Sequence, residues 1–371
     1  MSRVRFPRCE ASALAEHALH AAPILVTGPP GAGKTTLLLE TAQALRSRGW
    51  EPAYLDLMGA ASSPERFVRS AIQALSTGVR QERAADIARI LAHAEGGKDH
   101  AADGVRALFA LWSSLDTAGG RPIVLILDEA TEIRSLAYFA GLREVDAPFL
   151  SALTARTRGT ILATSMPTAA RRLWPALAAL PLEPVQARDV EHSLSSAGLG
   201  VDAGRLAAAG FGLPCYMDAL LEAIRASGDV EGAWMAGMAR GGRLERLCRH
   251  TYETLLLRSR GYGMSKAVLG AVADEEGLNL TALVARLGRS PGAIRDYLGW
   301  LLGVDALRMV GKRYFYVDGL VRWWVRLHGS GIIPSDAQIE GAAREVFSGA
   351  VDLEPAVASA ARRNDRLMEM D

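Results

Sequence analysis

Short apolar runs alternate with longer stretches of helical periodicity in the first half of the chain. Four of these runs are candidate strands: 24–27, 53–57, 123–127 and 160–164. The first and third are almost uninterrupted Ile, Leu and Val, as is typical of strands buried on both faces of a sheet. Predicted helices at 35–47, 64–75 and 104–115 lie between them. The order predicts an α/β fold, a parallel sheet with helices on both faces.

The second half of the chain is mostly helical in pattern. A helical stretch covers about 184–227, and a different arrangement follows at 279–317. There we predict a helix at 280–287, a turn, a second helix at 292–302, and two strands at 307–310 and 314–317. This order is typical of a C-terminal winged helix-turn-helix, and the helical stretch before it would form an α-helical lid.

The first predicted strand runs directly into a glycine-rich loop. The loop fits G-x-x-x-x-G-K-[ST], the phosphate-binding P-loop, and the helix that the motif requires follows it. Glycines let backbone N–H groups approach phosphate oxygens, Lys34 would reach the β- and γ-phosphates, and Thr35 would offer its hydroxyl to Mg²⁺. The predicted nucleotide-binding residues are Gly28, Pro29, Pro30, Gly31, Ala32, Gly33, Lys34, Thr35 and Thr36.

An acidic pair ends the third predicted strand, about ninety residues beyond the loop. Asp128 and Glu129 would lie at the carboxyl edge of the parallel sheet, where ligands bind in such folds. We expect Asp128 to hold the Mg²⁺ shell through water. Glu129 would orient or deprotonate the attacking water, because hydrolysis needs a base near the γ-phosphate. The pair predicts ATP hydrolysis.

Two hydroxyl side chains, Thr164 and Ser165, end the fourth predicted strand. If this strand lies beside the P-loop strand, either hydroxyl would hydrogen-bond the γ-phosphate or the attacking water, which makes both candidate catalytic residues. The alternative is a helix N-cap. The sequence does not choose between the two residues.

Nearby arginines are candidates for stabilising charge on the γ-phosphate, in cis or from a neighbouring subunit. Arg171 and Arg172 follow the fourth strand by one or two helical turns, although a solvated helix face is the favoured interpretation of this pair. Arg156 and Arg158 precede the strand and are equally placed for an inter-subunit role. The sequence does not choose among them.

Composition limits the class of protein. A chain of 371 residues with net charge +1 predicts two or three domains and no global attraction to nucleic acid or membrane. Cys9, Cys215 and Cys248 are widely separated, which favours a reducing compartment and argues against a structural zinc site. No apolar stretch is long enough for a transmembrane helix. We therefore expect a cytoplasmic protein.

The motifs together resemble the P-loop ATPases of the AAA+/STAND group, in particular the prokaryotic (archaeal-type) ATPases with a C-terminal winged helix. Three further segments are similar to family motifs. Phe6-x-Arg8-x-Glu10 resembles the N-terminal box, 182–185 resembles the entry to the helical lid, and 317–324 resembles the segment after the wing. Phe211-Gly212-Leu213-Pro214 resembles the G-x-P motif, so the resemblance implies that Pro214 lies near the adenine base.

Two departures from the family pattern stand beside this resemblance. The four residues after Pro214, Cys215-Tyr216-Met217-Asp218, include no arginine, and the strand that ends at Ser165 continues as Met166-Pro167, without an arginine directly after it. Pattern and resemblance together divide the chain into a P-loop ATPase domain (1–180), a helical lid and linker (181–243), a winged-helix domain (244–330) and a C-terminal helical tail (331–371).

The resemblance and motif order imply a slow, Mg²⁺-dependent ATPase that couples its nucleotide state to the winged helix. In that fold the second helix enters the DNA major groove and the wing contacts phosphates. Alternatives remain open: a DNA-binding loader of a mobile-element or defence system, and a non-catalytic switch that holds ADP and scaffolds a protein client. A homo-oligomer also stays open. The candidate contacts to double-stranded DNA are Arg289, Arg295, Lys312 and Arg313.

Overall fold

A computed structural model describes residues 6, 10–97, 100–118, 120–156 and 158–348. Arg8 of the N-terminal box, Cys9 and the tail beyond residue 348 lie outside these residues. The chain forms two compact units. The sheet unit comprises the described residues of Pro7–Pro184 together with Thr251–Asp318, and the helical unit comprises Val185–His250 and the described residues from Gly319 onward, with Phe6. The division into four sequence segments stays a prediction.

The sheet unit is built on five parallel strands in the order β2-β4-β5-β1-β6, and the short β3 pairs with β4 in antiparallel fashion. The parallel sheet is therefore confirmed, and the four predicted strands are all present. Strand β6 was not predicted, because its short Ala-Ala-Leu-Pro sequence lacks β-branched residues and its side chains are mostly exposed. The strands are β1 (Ile24–Thr27), β2 (Glu51–Asp56), β3 (Thr117–Ala118), β4 (Arg121–Asp128), β5 (Thr160–Thr164) and β6 (Ala178–Pro181).

Helices cover both faces of this sheet, as the alternating pattern predicts. Side chains alternate between the two faces along a strand. On β4, Leu125 and Leu127 belong to a core that includes residues of α4, α6, α7 and α8, whereas α2 packs on the sheet separately. The helices before β6 are α1 (Glu10–His20), α2 (Lys34–Ser47), α3 (Leu57–Ala60), α4 (Pro64–Ala74), α5 (Thr77–Glu82), α6 (Ala84–Glu95), α7 (Ala101–Ser113), a 3₁₀ helix (Ala130–Tyr138), α8 (Asp146–Thr154) and α9 (Pro167–Leu173).

The helical unit contains α10 (Ala187–Ser196), α11 (Ala203–Ala209), α12 (Pro214–Ser227) and α13 (Val230–Met238), followed by the first half of α14 (Arg243–Arg258). Helices α18 (Gly319–His328) and α19 (Asp336–Ser348) complete it. Trp323 and Trp324 are buried on α18, and Trp324 stacks on His328. The two tryptophans therefore pack within this unit, as expected for core residues.

The chain returns to the sheet unit at Thr251, within α14. This return, residues 251–318, is called the 251–318 segment below. It continues with α15 (Tyr262–Asp274), α16 (Leu280–Leu287), α17 (Pro291–Gly303), β7 (Leu307–Val310) and β8 (Arg313–Tyr316). Strands β7 and β8 pair in antiparallel fashion, and Ser290 accepts a hydrogen bond from the Ala293 N–H at the start of α17. The predicted helices and strands of this segment are thus present, and their assignment as a winged helix stays a prediction.

Among the described residues, no helix combines the length and the apolar character that crossing a bilayer would need.

Candidate functional site

The loop between β1 and α2 has the backbone conformation of a phosphate cradle. Gly31 and Gly33 have φ angles of 79° and 90°, in the left-handed region that glycine adopts without a steric penalty. Gly33 is also the residue immediately before α2, so the first N–H groups of that helix point into the space that the loop encloses. A Cβ at Gly28 would lie only 3.2 Å from the Ala32 Cβ. The glycine positions of the motif are therefore needed by the backbone itself.

Lys34, the first residue of α2, is 5% exposed. Its amine donates to the Gly28 carbonyl oxygen at 3.0 Å and to the Pro29 carbonyl oxygen at 3.1 Å. The Glu129 carboxylate lies 3.6 Å away. Burial lowers the pKa of Lys34, and the negative charges of Glu129 and Asp128 oppose that shift. A buried ammonium beside two carboxylates fits a site that binds a polyanion, to which the ammonium would supply positive charge.

Asp128 ends β4 at the carboxyl edge of the sheet and is buried. Its Oδ2 accepts a 2.6 Å hydrogen bond from the Thr35 hydroxyl and a 3.0 Å bond from the Tyr54 hydroxyl. Burial, with the charge of Asp128 and this hydrogen bond, raises the pKa of Tyr54, so the phenol stays a donor. Tyr54 was not predicted, because nothing in the pattern of β2 distinguishes it from an ordinary strand aromatic.

Glu129 follows Asp128 in an unusual backbone conformation, with a φ of 47°. Positive φ in a non-glycine residue is uncommon and is found disproportionately at functional sites. The Glu129 N–H donates to Asp128 Oδ1 at 3.0 Å, which holds this turn. The turn directs the carboxylate away from β4 toward Lys34 and the end of β5. The sequence predicts this acidic pair at the carboxyl edge of the sheet, but it does not predict the strained backbone at Glu129.

The two hydroxyl candidates at the end of β5 have different surroundings. Ser165 donates its hydroxyl hydrogen to Glu129 Oε2 at 2.8 Å, and its backbone N–H donates to the same oxygen at 3.0 Å. Thr164 is fully buried, bonds the Thr131 hydroxyl at 2.7 Å, and accepts from the Met166 N–H at 3.0 Å. Strand β5 lies beside the P-loop strand β1, as the sensing hypothesis requires. Ser165 is thus the hydroxyl that contacts the acidic residue.

An arginine from far along the chain also reaches this site. Arg258, the last residue of α14, donates to Glu132 Oε1 at 2.5 Å and to the Ser165 hydroxyl oxygen at 3.3 Å. Sequence reasoning missed it, because it belongs to no motif and approaches the site only through the tertiary fold.

The arginines suggested by sequence lie elsewhere. Arg156 is 1% exposed, and its guanidinium donates to the carbonyls of Trp112, Leu115, Ile123 and Gly159. Burial lowers its pKa to about 10. An inter-subunit role for Arg156 was therefore the wrong expectation, since the buried guanidinium joins the end of α7 to β4 and to the residue before β5. Arg171, Arg172 and Arg158 are exposed, and Arg158 lies over the Trp50 ring.

The donor set fits ATP with Mg²⁺. Positive-φ glycines, helix N–H groups and the Lys34 amine match a triphosphate, and the paired oxygens of Thr35 and Asp128 match a hard cation that prefers oxygen ligands. Among the described residues, no group of three or more His, Cys, Asp or Glu side chains forms a separate metal site. The remaining predicted loop residues, Pro29, Pro30, Ala32 and Thr36, lie in the same turn and the start of α2.

The other predicted site residues lie outside this cluster. Pro214 begins α12 in the helical unit, and its place near an adenine base stays a prediction. The four basic candidates of the 251–318 segment, Arg289, Arg295, Lys312 and Arg313, are all exposed. Arg313 also donates to the Gly277 carbonyl oxygen at 2.8 Å, which fixes the start of β8.

A parallel sheet with a P-loop and an acidic pair at its carboxyl edge defines a P-loop NTPase domain. Residues 11–159 match the family model described as "AAA ATPase domain", so this part of the chain is an AAA ATPase domain. The AAA ATPase part of the predicted resemblance is thereby confirmed for the nucleotide-binding region. The C-terminal winged helix that it implied stays a prediction.

A solved structure shares this fold. The chain is similar to the Walker-type ATPase of Pyrococcus abyssi, with 16% identity, a TM-score of 0.64 and coverage of 87% of this chain and 96% of that one. It is also similar to a STAND protein with a tetratricopeptide-repeat sensor from Pyrococcus horikoshii, with 14% identity, a TM-score of 0.41 and coverage of 88% and 43%. The first of these similarities, with its TM-score of 0.64, shows a shared fold. No curated protein matches the chain.

Proposed function

We propose that the chain is a Mg²⁺-dependent ATPase that converts ATP to ADP and phosphate slowly. In this proposal the P-loop holds the triphosphate, Lys34 binds the β- and γ-phosphates, and Thr35 with Asp128 holds Mg²⁺. The single observation that carries it is Glu129, whose carboxylate is held 2.8 Å from the Ser165 hydroxyl and 3.6 Å from the Lys34 amine. That position suits a base acting on water beside a γ-phosphate.

When bound, Mg²⁺ would neutralise charge on the β- and γ-phosphates. The residues of the chain would do the remaining work. Lys34 would add positive charge from a buried position, where electrostatic interactions are stronger than in water. Glu129 would take up the proton of the attacking water. Ser165 would hold the Glu129 carboxylate in place through its two hydrogen bonds.

We further propose that the nucleotide state is coupled to the 251–318 segment, with α15–α17 and β7–β8 acting as a winged helix. This rests on the order of these elements and on contacts of the segment with the end of β5. An experiment on hydrogen exchange tests it. The 251–318 segment should exchange differently with Mg²⁺-ADP and with a Mg²⁺-bound non-hydrolysable ATP analogue. Equal exchange in both complexes, with nucleotide bound, would refute the coupling.

Binding to double-stranded DNA is the second candidate function, supported by the exposure of the four candidate contacts, Arg289, Arg295, Lys312 and Arg313. Between residues 244 and 330, thirteen Lys and Arg stand against eight Asp and Glu. DNA affinity should then fall steeply with salt, because phosphate contacts release counterions. Replacing Arg289, Arg295, Lys312 and Arg313 together with alanine should abolish it. An unchanged affinity would leave a protein client as the partner of this surface.

The same samples address assembly and catalysis. Size measurement with and without the ATP analogue, in the presence and absence of DNA, separates an oligomeric loader from a monomeric switch. A stable ADP complex without turnover would support the non-catalytic scaffold instead. We propose a cytoplasmic setting, in line with the reducing compartment expected from the three separated cysteines.

A further inference from the structure

Arg258 makes a forked contact at the end of β5. One guanidinium nitrogen donates to Glu132 Oε1 at 2.5 Å and the other to the Ser165 hydroxyl oxygen at 3.3 Å. Both members of the ion pair are largely shielded from water, with side chains 15% and 16% exposed. A planar guanidinium can serve two acceptors at once in fixed directions, which a lysine ammonium on its flexible stem cannot do. The contact therefore fixes Ser165 as well as neutralising Glu132.

The Ser165 hydroxyl connects the Arg258 contact to Glu129. A serine hydroxyl has one hydrogen to donate and two lone pairs to accept with. Because Arg258 can only donate, it occupies a lone pair of Ser165 and leaves the hydroxyl hydrogen for Glu129 Oε2, at 2.8 Å. Successive hydrogen bonds of this kind polarise one another. Arg258, Ser165 and Glu129 thus form one directional chain.

The orientation of Glu129 matters for the reaction proposed above. A general base acts only when it lies within hydrogen-bond reach of the proton that it removes. This carboxylate also faces the Lys34 amine, at 3.6 Å from Oε1. Without the Ser165 contact, Glu129 would be drawn to that ammonium alone. The Ser165 contact therefore decides where the second carboxylate oxygen points.

The 251–318 segment holds the same stretch of chain at a second point. Asp305 accepts from the Thr168 N–H at 3.0 Å and from the Thr168 hydroxyl at 2.6 Å, at the start of α9. Arg258 and Asp305 therefore bind the chain directly after β5, at Ser165 and Thr168. These two residues flank Met166 and Pro167. A shift of the segment would have to move Ser165 or break one of these contacts.

We propose that Arg258 is a positioning residue for ATP hydrolysis, which acts through Ser165 to orient Glu129 and so lets the 251–318 segment set the rate. This inference rests on the proposed ATPase activity and adds to it the residue that relays control.

The test compares Arg258→Ala with Arg258→Lys and with a matched control, Arg260→Ala. Arg260 is two residues away and exposed. Steady-state ATP hydrolysis gives kcat and KM, and titration with a fluorescent ATP analogue gives Kd. Arg258→Ala should lower kcat by about tenfold to a hundredfold, because a misplaced catalytic group costs that much. Kd and KM should stay within about twofold of wild type, and Arg260→Ala should match wild type throughout.

Arg258→Lys should recover part of kcat, since an ammonium can hold either Glu132 or Ser165 but not both in the same geometry. It also serves as the main variant if Arg258→Ala does not fold, as judged by circular dichroism. A kcat equal to wild type in Arg258→Lys, together with an unfolded Arg258→Ala, would overturn the proposal.

A double-mutant cycle with Ser165→Ala tests the route. If Arg258 acts through Ser165, adding Arg258→Ala to Ser165→Ala should lower kcat by less than about twofold further. Independent, multiplying losses would overturn the relay. A raised Kd with unchanged kcat in Arg258→Ala would overturn it too, since the arginine would then bind the nucleotide directly.

The outcome is separable from that of the proposed function. Wild-type protein that does not hydrolyse ATP would remove both. If wild type hydrolyses ATP and Glu129→Gln does not, but Arg258→Ala and Ser165→Ala turn over normally, then only the positioning role of Arg258 is refuted.

Discussion

The Thr35 hydroxyl donates a 2.6 Å hydrogen bond to the Asp128 carboxylate, joining the first turn of α2 to the end of β4. These two residues lie 93 positions apart in the chain and meet because β4 and the P-loop strand end at the same edge of the sheet. Their oxygens are the pair that we expect to hold Mg²⁺. The Tyr54 hydroxyl donates to the same Asp128 oxygen at 3.0 Å and so helps to hold the carboxylate in place.

Asp128→Asn should raise the Mg²⁺ concentration needed for half-maximal ATPase activity far more than Tyr54→Phe does. The asparagine removes the negative charge that attracts the cation, whereas the phenylalanine removes only one orienting hydrogen bond, for which a loss of about 1 kcal/mol is expected. Titration of ATPase activity with Mg²⁺ at saturating ATP measures both. Equal shifts of the Mg²⁺ midpoint in the two variants would contradict the assignment of Asp128.

Ser165→Ala should lower kcat by about tenfold or more, because Glu129 loses one of the two hydrogen bonds that orient its carboxylate. Thr164→Val is the matched comparison at the neighbouring position. Thr164 bonds Thr131 and the Met166 N–H in a fully buried place, so its loss should lower the melting temperature more than the turnover of the folded protein. Steady-state kinetics and thermal unfolding on both variants separate these effects. A kcat loss confined to Thr164→Val would reverse the assignment.

Much of this site was predictable from sequence, because its main parts are local. The strand–loop–helix order around Lys34 and the apolar run ending in Asp128 and Glu129 are contiguous patterns, and the parallel sheet brings them to one edge. Arg258 and Asp305 were not predictable, since each reaches the end of β5 from more than ninety residues away. Arg156 was misread because an arginine beside a strand resembles a surface residue until its carbonyl partners are known.

Arg156→Met should destabilise the fold by about 3 kcal/mol, since the guanidinium satisfies several buried carbonyl oxygens at once. Arg158→Met, two residues along and exposed, serves as the control and should change stability by less than about 0.5 kcal/mol. Chemical denaturation measures both. A wild-type stability for Arg156→Met would mean that these hydrogen bonds add nothing to the fold.

Asp305 should make stability depend on pH. Burial raises the pKa of its carboxyl, while Thr168, Arg171 and Arg172 oppose that shift. The folded chain therefore keeps this proton to higher pH than the unfolded chain does. From the ordinary aspartate range near pH 4 up through the raised pKa, the contribution of Asp305 to the free energy of unfolding should fall as pH rises.

Asp305→Asn should remove this part of the pH dependence and keep both contacts to Thr168, because an amide can accept from the N–H and donate to the hydroxyl. Asparagine also tolerates the φ of 56° at this position. Asp305→Ala loses the contacts and should cost about 2 kcal/mol. Melting temperatures of the three proteins between pH 4 and pH 8 check this. Parallel curves for wild type and Asp305→Asn would show that Asp305 does not titrate as described.

The most direct test of the central claim is phosphate release from ATP under single-turnover conditions, run on wild type, Lys34→Ala and Glu129→Gln with Mg²⁺. We predict slow release by wild type and a loss of about a hundredfold or more in Glu129→Gln, which should still bind ATP with wild-type affinity. Lys34→Ala should lose affinity for ATP itself. Release by Glu129→Gln at the wild-type rate would contradict the account, because the carboxylate held by Ser165 would then have no part in the reaction.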